Sequence, residues 1–514
     1  MTPLDAVRHA VTKTRPGFDG TTDINTYPPT TTSDPATASE HAMHDAELDL
    51  IPEEAKTHSV RGQFWIWAGA NIAPINWVLG ALGVGMGLGL LETVAVLIAG
   101  NAIGMALFGV FVVIGQRTGV TGMVLSRAVF GRRGAYIPAA VQALLCMGWC
   151  AVNTWIVLDL VMALLGKIGL IDADATNNGA RIAVAAVIMA LQVGIAWFGY
   201  RVISTFERWT VPPTVAILFA MTVVAWIGLD VDWGRASDST MTTGAHWGAI
   251  SAVMTAIGIG WGLTWLGYAG DYSRFVSQDV PARKLFLASA LGQFIPVIWL
   301  GTLGATLATL STSADPGKII VDAYGALAIP VLLLVVHGPL ATNILNIYTC
   351  TVSTQALDIR IDRRILNVVI GIASMALVIF FVLRTDFAST IDTWLIGIVG
   401  WVTPWAAVVL VHWFYVARGR VDAAALFAAP SERAIPMIRP TALISLAVGI
   451  VCTWMFMYGT ISALQGRGAV ALGGIDISWL AGGLAAGLSY FALEFRSAHT
   501  AAADVSPISV GGEK

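Results

Sequence analysis

Charge is what this 514-residue chain has least of. Asp, Glu, Lys and Arg make up 12% of it, about half the share of a soluble domain. With 56% hydrophobic residues and a mean hydropathy of +0.74, the deficit excludes an ordinary soluble protein and places the chain in a lipid bilayer. No basic patch occurs and the net charge is −3, so nothing calls for nucleic acid. The four cysteines all lie in apolar stretches, which encodes neither a disulfide framework nor a thiolate metal centre. No carboxylate or histidine cluster, metal motif or soluble catalytic domain is present, which speaks against a membrane enzyme. No repeated filter sequence speaks for a channel. Residues 1–60 lack the apolar core of a signal peptide. Their Thr, Pro, Asp and Ala predict a disordered cytoplasmic tail with a short helix near 40–50. His41, His44 and His58 are too scattered there to suggest a metal. A second polar tail covers 497–514.

What is present is a series of apolar runs, each about 20 residues long, the length that crosses ~30 Å of hydrocarbon. They fall near 64–83, 88–114, 136–165, 181–199, 208–229, 248–269, 285–310, 328–355, 365–383, 392–416, 440–461 and 475–495. The expectation is an all-α polytopic membrane protein of about 12 transmembrane helices. Arginines concentrate in alternate connections: Arg117, Arg127, Arg132 and Arg133 after the second span, Arg201 and Arg208 after the fourth, Arg274 and Arg283 after the sixth. The pattern continues with Arg360, Arg363 and Arg364 after the eighth and Arg418, Arg420, Arg433 and Arg439 after the tenth. By the positive-inside rule these loops and both termini are cytoplasmic.

Two spans are interrupted. Gly69, Asn71, Pro74, Asn76 and Gly80 break the first, and Gly258, Gly260, Gly262, Gly267 and Gly270 punctuate the sixth. Breaks in hydrocarbon are tolerated where the freed backbone groups face protein, water or cargo, so a matched pair marks a binding site. The competing reading is that glycine only lets helices approach closely. Five spans separate the two starts, so they cross in opposite directions, as an inverted repeat of five plus five requires. The division is then 61–230, 231–418 and a further pair of helices in 419–496.

Polar residues within spans need partners or a function. In the third span Cys146, Trp149, Cys150 and Asn153 follow the i, i+3, i+4, i+7 rule and share a face. An indole beside an amide suits a planar heterocycle, stacked on one and read at its edge by the other; a packing Trp and a helix-bridging Asn explain the pair equally. In the eighth span Thr342, Asn346, Thr349 and Ser353 form a polar stripe with Asn343 beside it. That stripe offers hard oxygens for a small cation, or hydroxyls bonded back to the helix. Glu92, Asp159, His337 and His412 are candidate proton relays or makers of one buried bond; Asp271 and Arg274 read as a loop tie, and Pro404 as a kink or gate.

Five motifs, GANIAPINWVLGALG, GQRTGVTGMVLSRAVFGRRG, GWCAVNTW, GWGLTWLGYAGDYSRF and ATNILN, together resemble the nucleobase–cation symporter family in its purine–cytosine permease branch, over residues 60–500. The resemblance implies a LeuT-type 5+5 inverted repeat with two additional C-terminal helices, and no cofactor beyond Na+ or H+ as coupling ion. It implies aromatics of spans three and six holding a flat ring: Trp149 as stacking residue, Asn153 at an amide position, and Trp261 as partner, with Trp265 as its rival. Ile75, Gly262, Asn343 and Asn346 complete the substrate set. Asn71, Pro74, Gly338, Ala341 and Thr342 resemble a sodium position, where Ala341 replaces a common hydroxyl residue. Asn343 or Asn346 compensates for that oxygen, or the ion is a proton. The implied function is import of a cytosine-, purine-, hydantoin- or allantoin-like ring through a plasma membrane, with no obligate protein partner.

Overall fold

In hydrocarbon a backbone must satisfy its own polar groups, and helix is the way a single segment does so. The computed structural model describes residues 50–503 except 74, 172–176, 199, 311–315, 360, 385–386, 429 and 460. Among these the only strand pairing is one isolated bridge, Tyr458 with Gln465. The helices run α1 (Val60–Asn71), α2 (Ile75–Gly85), α3 (Leu90–Thr118), α4 (Gly122–Phe130), α5 (Tyr136–Lys167), α6 (Asn178–Phe198), α7 (Tyr200–Val223), α8 (Thr243–Ala252), α9 (Gly260–Thr264) and α10 (Leu266–Ser273). They continue with α11 (Ala282–Leu307), α12 (Pro316–Tyr324), α13 (Ala328–Val335), α14 (His337–Gln355), α15 (Arg363–Arg384), α16 (Phe387–Val411), α17 (Pro440–Phe456), α18 (Arg467–Ala471) and α19 (Ser478–Ala503).

Every apolar run in the sequence carries helix. Among the described residues seven helices are long and apolar enough to cross a membrane, or eight if the bent pair around residues 334–337 is one span. The first run is split into α1 and α2, and Pro212–Gly228 and Pro440–Phe456 are shorter apolar helices. Pro404 lies inside α16 without ending it.

The two irregular crossings differ in kind. The first stops: Ile72 leaves the helical region with φ −81° and ψ 69°. The sixth does not unwind as expected. It passes from α8 into a π-helical segment, Val253–Ile259, then α9, a turn at Trp265 and α10. Its glycines serve packing instead. A Cβ on Gly258 would stand 2.8 Å from the Gly100 Cα, and one on Gly262 would stand 2.4 Å from the Gly104 carbonyl carbon. Two small-xxx-small faces therefore meet backbone to backbone.

Contacts sort the helices into groups. α1, α2, α3, the irregular α8–α10 crossing and α11 pack on one another; α5, α6, α14 and α15 form a second set; α17 and α19 pair together and lean on α16. Polar ties join them. Asp358, in the left-handed region at φ 62°, accepts both oxygens' worth of hydrogen bonds from Arg132 at 2.8 and 3.0 Å, one from Arg127 at 3.0 Å and one from Tyr136 at 2.5 Å. The same arginines reach the Leu426, Ala356 and Ala428 carbonyls. Burial pushes the Asp358 carboxyl up, but these bonds and charges outweigh it and hold the group below the usual carboxylate range.

Two predictions follow from this packing. Gly100→Ala should lower the melting temperature, because a Cβ there would meet the Gly258 Cα at 2.5 Å and overpacking costs about 1–3 kcal/mol. Gly194→Ala, with nothing within 4 Å, should be neutral or stabilising, as for an open helical site; equal melting of both variants would refute the contact. Asp358→Asn should cost about 2 kcal/mol at neutral pH, since bonds to a charged acceptor are lost. The native group is depressed, so its contribution is present above the unfolded carboxyl value near ~3.9 and disappears as pH falls through the folded one. The melting difference between variant and wild type should therefore narrow in acid.

Candidate functional site

The end of α1 sets the site. Where the helix stops, the Ala70 and Asn71 carbonyls lose their intrahelical donors and side chains take them over, while the Asn71 side chain bonds back one turn. The Asn76 amide donates to the Asn71 carbonyl at 2.6 Å, and the Asn71 amide to the Trp67 carbonyl at 2.9 Å. Thr342, on the neighbouring α14, places its hydroxyl 3.2 Å from the Ala70 carbonyl and 3.1 Å from that of Gly338. The Asn71 side-chain oxygen accepts the indole N–H of Trp261 at 2.9 Å. The two irregular crossings thus meet at Asn71.

Beside this junction lies a pocket lined by Ala70, Ile75, Trp149, Asn153, Trp261, Thr264, Trp265, Tyr268, Thr342 and Asn346. Its free space is about 10 Å³ for water-sized centres, close to the least that holds one water. The walls touch: Trp149 meets Trp261 edge to face at 5.5 Å between centroids and 87° between planes. Trp261 meets Trp265 at 6.4 Å, and Trp265 meets Tyr268 at 5.2 Å. A flat ring held between two parallel aromatic faces needs about 7 Å between them, two carbon contact distances. One indole must turn to admit it.

The polar wall has a defined direction. The Cys150 carbonyl is only an acceptor, so the Asn343 group 3.0 Å away must be its NH₂. The Asn343 oxygen then accepts from the Asn346 NH₂ at 3.1 Å, and the Asn346 oxygen accepts the Tyr268 hydroxyl at 2.9 Å. Cys146 donates its S–H to Tyr268 at 3.2 Å. Asn343 also reaches the Thr154 hydroxyl and the Gln192 oxygen, at 3.2 and 3.0 Å. Against this bonded chain stand groups with no partner among the described residues, the Thr264 hydroxyl and the Trp265 indole N–H; the Asn153 side chain, 2% exposed, is also on the pocket wall.

Trp149, Asn153, Trp261, Trp265, Ile75, Asn346 and Thr342 therefore stand together. Gly262 does not; its face is against the Gly104 backbone. Asn343 lies behind Asn346 and orients it. Ala341 is buried and brings no side-chain oxygen, and Pro74 lies outside the described residues. Thr264 and Tyr268 were not anticipated, yet with Trp261 and Trp265 they repeat the i, i+3, i+4, i+7 spacing of the third span. The ionisable candidates hold local partners. Glu92 pairs with His246 at 2.6 Å, Asp159 with Arg181 at 2.7 Å and His412 with Tyr490 at 2.9 Å. Asp271 accepts from the Gly122 N–H at 3.1 Å, tying the start of α4. The His337 side chain lies outside the description.

Known proteins can now be compared. A family model described as permease for cytosine/purines, uracil, thiamine, allantoin matches residues 50–482. YxlA of Bacillus subtilis is 25% identical over 457 residues, 87% of this chain and 94% of YxlA. The purine-cytosine permease FCY2 of Saccharomyces cerevisiae is 26% identical over 328 residues, 60% of this chain and 59% of FCY2. The structure of Mhp1, a nucleobase-cation-symport-1 family transporter in a closed conformation with bromovinylhydantoin bound, superposes with a TM-score of 0.69 at 17% identity, over 88% of this chain and 96% of that one; the two share a fold. With the family model spanning most of its length, this chain belongs to the permeases for cytosine/purines, uracil, thiamine and allantoin, the nucleobase–cation symporters, and is a membrane transporter rather than an enzyme.

Proposed function

We propose that the protein is a secondary transporter that imports a planar nitrogen heterocycle, such as cytosine, a purine or a hydantoin- or allantoin-like ring, by symport with a cation. The observation that carries the reading is the pocket itself. Trp149 and Trp261 stand edge to face at its wall, Asn153 lines it, and the Thr264 hydroxyl and Trp265 N–H are unpaired beside it. Aromatic faces bind the ring without regard to its substituents; donors and acceptors read its edge. FCY2 is named for purines and cytosine, and Mhp1 holds a hydantoin, which supports that substrate class.

Coupling follows from Asn71. Its side chain holds Trp261, and the Ala70 carbonyl one residue before it gathers with that of Gly338 on the Thr342 hydroxyl, a cluster of hard oxygens. A cation drawn to that cluster favours one arrangement of α1 and α14, and the arrangement that seats Trp261 for substrate gains the same bias. Each ligand then raises the other's apparent affinity. In this reading residues 61–230 and 231–418 are inverted five-helix repeats, 419–496 carry two additional helices, and the first and second packing groups rock against each other. Both termini face the cytoplasm at a plasma membrane. Asn76 already fills the Asn71 carbonyl at 2.6 Å and Ala341 lacks a hydroxyl. These two facts favour, as a second reading, a proton-coupled or uncoupled permease, for instance for a vitamin precursor.

Uptake of labelled cytosine or hypoxanthine, in cells lacking their own permeases, should saturate and fall when the coupling gradient is collapsed. Collapse of the sodium and proton gradients separately identifies the ion, and uptake indifferent to both would sink symport. Trp149→Ala should weaken substrate binding about ten- to a hundredfold, since stacking a base on an aromatic is worth about 1–3 kcal/mol. Binding should be weakened far more than folding. Unchanged affinity in the correctly inserted variant would remove Trp149 from the site.

A further inference from the structure

The two last apolar helices stand apart from the pocket, yet the loop between them reaches the crossing that lines it. Gly473 and Gly474 adopt φ of 78° and 88°, which bends the chain so that Asp476 points inward. Its carboxylate is 2% exposed. One oxygen accepts from the Ser478 N–H and hydroxyl at 2.9 and 2.7 Å and from the Thr255 hydroxyl at 3.2 Å; the other accepts from the Tyr458 N–H at 2.8 Å. The Asp476 N–H donates to the Ser251 hydroxyl at 2.9 Å. On the receiving side Gly248, Ser251 and Thr255 share one face of the sixth crossing. A Cβ on Gly248 would stand 3.2 Å from the Gly474 carbonyl oxygen, so the loop lies directly on the helix.

Thr255 is inside the π-helical segment, and its carbonyl takes the Gly260 N–H. A π-helical segment holds about one residue more per turn than α-helix and is frequently found at functional sites; two others, Val224–Gly228 and His412–Val416, lie elsewhere in the chain. If it relaxed to α-helix, everything beyond would rotate by about 100° and move about 1.5 Å. Trp261 would leave the pocket wall. We infer that Asp476 is a positioning residue of the transport site: the loop between α18 and α19 clamps the π-helical segment and so sets where Trp261 and Trp265 stand. The inference rests on the proposed function only for its binding readout.

The test uses the full-length protein in lipid nanodiscs with three variants, Asp476→Ala, Thr255→Val and Thr255→Ser. Amide hydrogen exchange over 257–265 and the dissociation constants for hypoxanthine and cytosine are measured. Asp476→Ala and Thr255→Val should speed exchange in 257–265 and weaken binding about tenfold, a shift of about 1.4 kcal/mol. Thr255→Ser, which keeps the hydroxyl, should behave as wild type. Thr255→Val keeps the last helices and their loop intact, so it answers even if Asp476→Ala fails to fold. Exchange in 257–265 unchanged in Thr255→Val, or loss confined to α17 and α19 with native affinity, would overturn the clamp. If wild type binds neither base while exchange in 257–265 responds as expected, the clamp stands and the substrate assignment falls.

Discussion

The carbonyl groups released where the first crossing stops at Ile72 are the constraint around which the site is organised. In water they would be hydrated; here they must be met by protein. Asn76 and Thr342 meet them, from α2 and α14. The Asn71 side chain brings a third element, Trp261, to the same point. Backbone satisfaction, the aromatic wall and the oxygen cluster are thus one arrangement, and none can change without the others.

The opposite wall has the same economy. A chain of four side chains runs from Cys146 through Tyr268 and Asn346 to Asn343, and its polarity is dictated by one backbone carbonyl, that of Cys150. Such a fully bonded network is rigid and specifies one set of donors and acceptors. The groups left over, on Thr264 and Trp265, are on other residues. The pocket therefore divides its polar atoms between those that hold its shape and those without a partner in it.

Helix positions were legible because apolar runs of membrane length have few other fates. The face of the third span was legible because its four residues keep helical spacing, and two of them, Trp149 and Asn153, line one pocket. The glycines of the sixth span misled: the same residues that break a helix also let two helices touch, and only the Gly100 and Gly104 backbones opposite decide between these. The π-helical segment left no mark in composition, since it depends on what clamps it. The Asp358 hub was hidden for another reason. Its arginine and tyrosine partners lie 222 to 231 residues away in sequence, beyond any local pattern. Glu92, Asp159 and His412, read as proton relays or makers of one buried bond, each make such a bond, to neighbours that local spacing could not reveal.

Indole against indole, at 5.5 Å, has a bearing on bioenergetics. Walls in mutual contact leave about 10 Å³ between them, close to the least that holds one water. Were the proposed flat ring to enter there, a closed centre of this kind would keep ions from slipping down their gradients unaccompanied, and the tightness of the seal and the thinness of the passenger would be the same requirement.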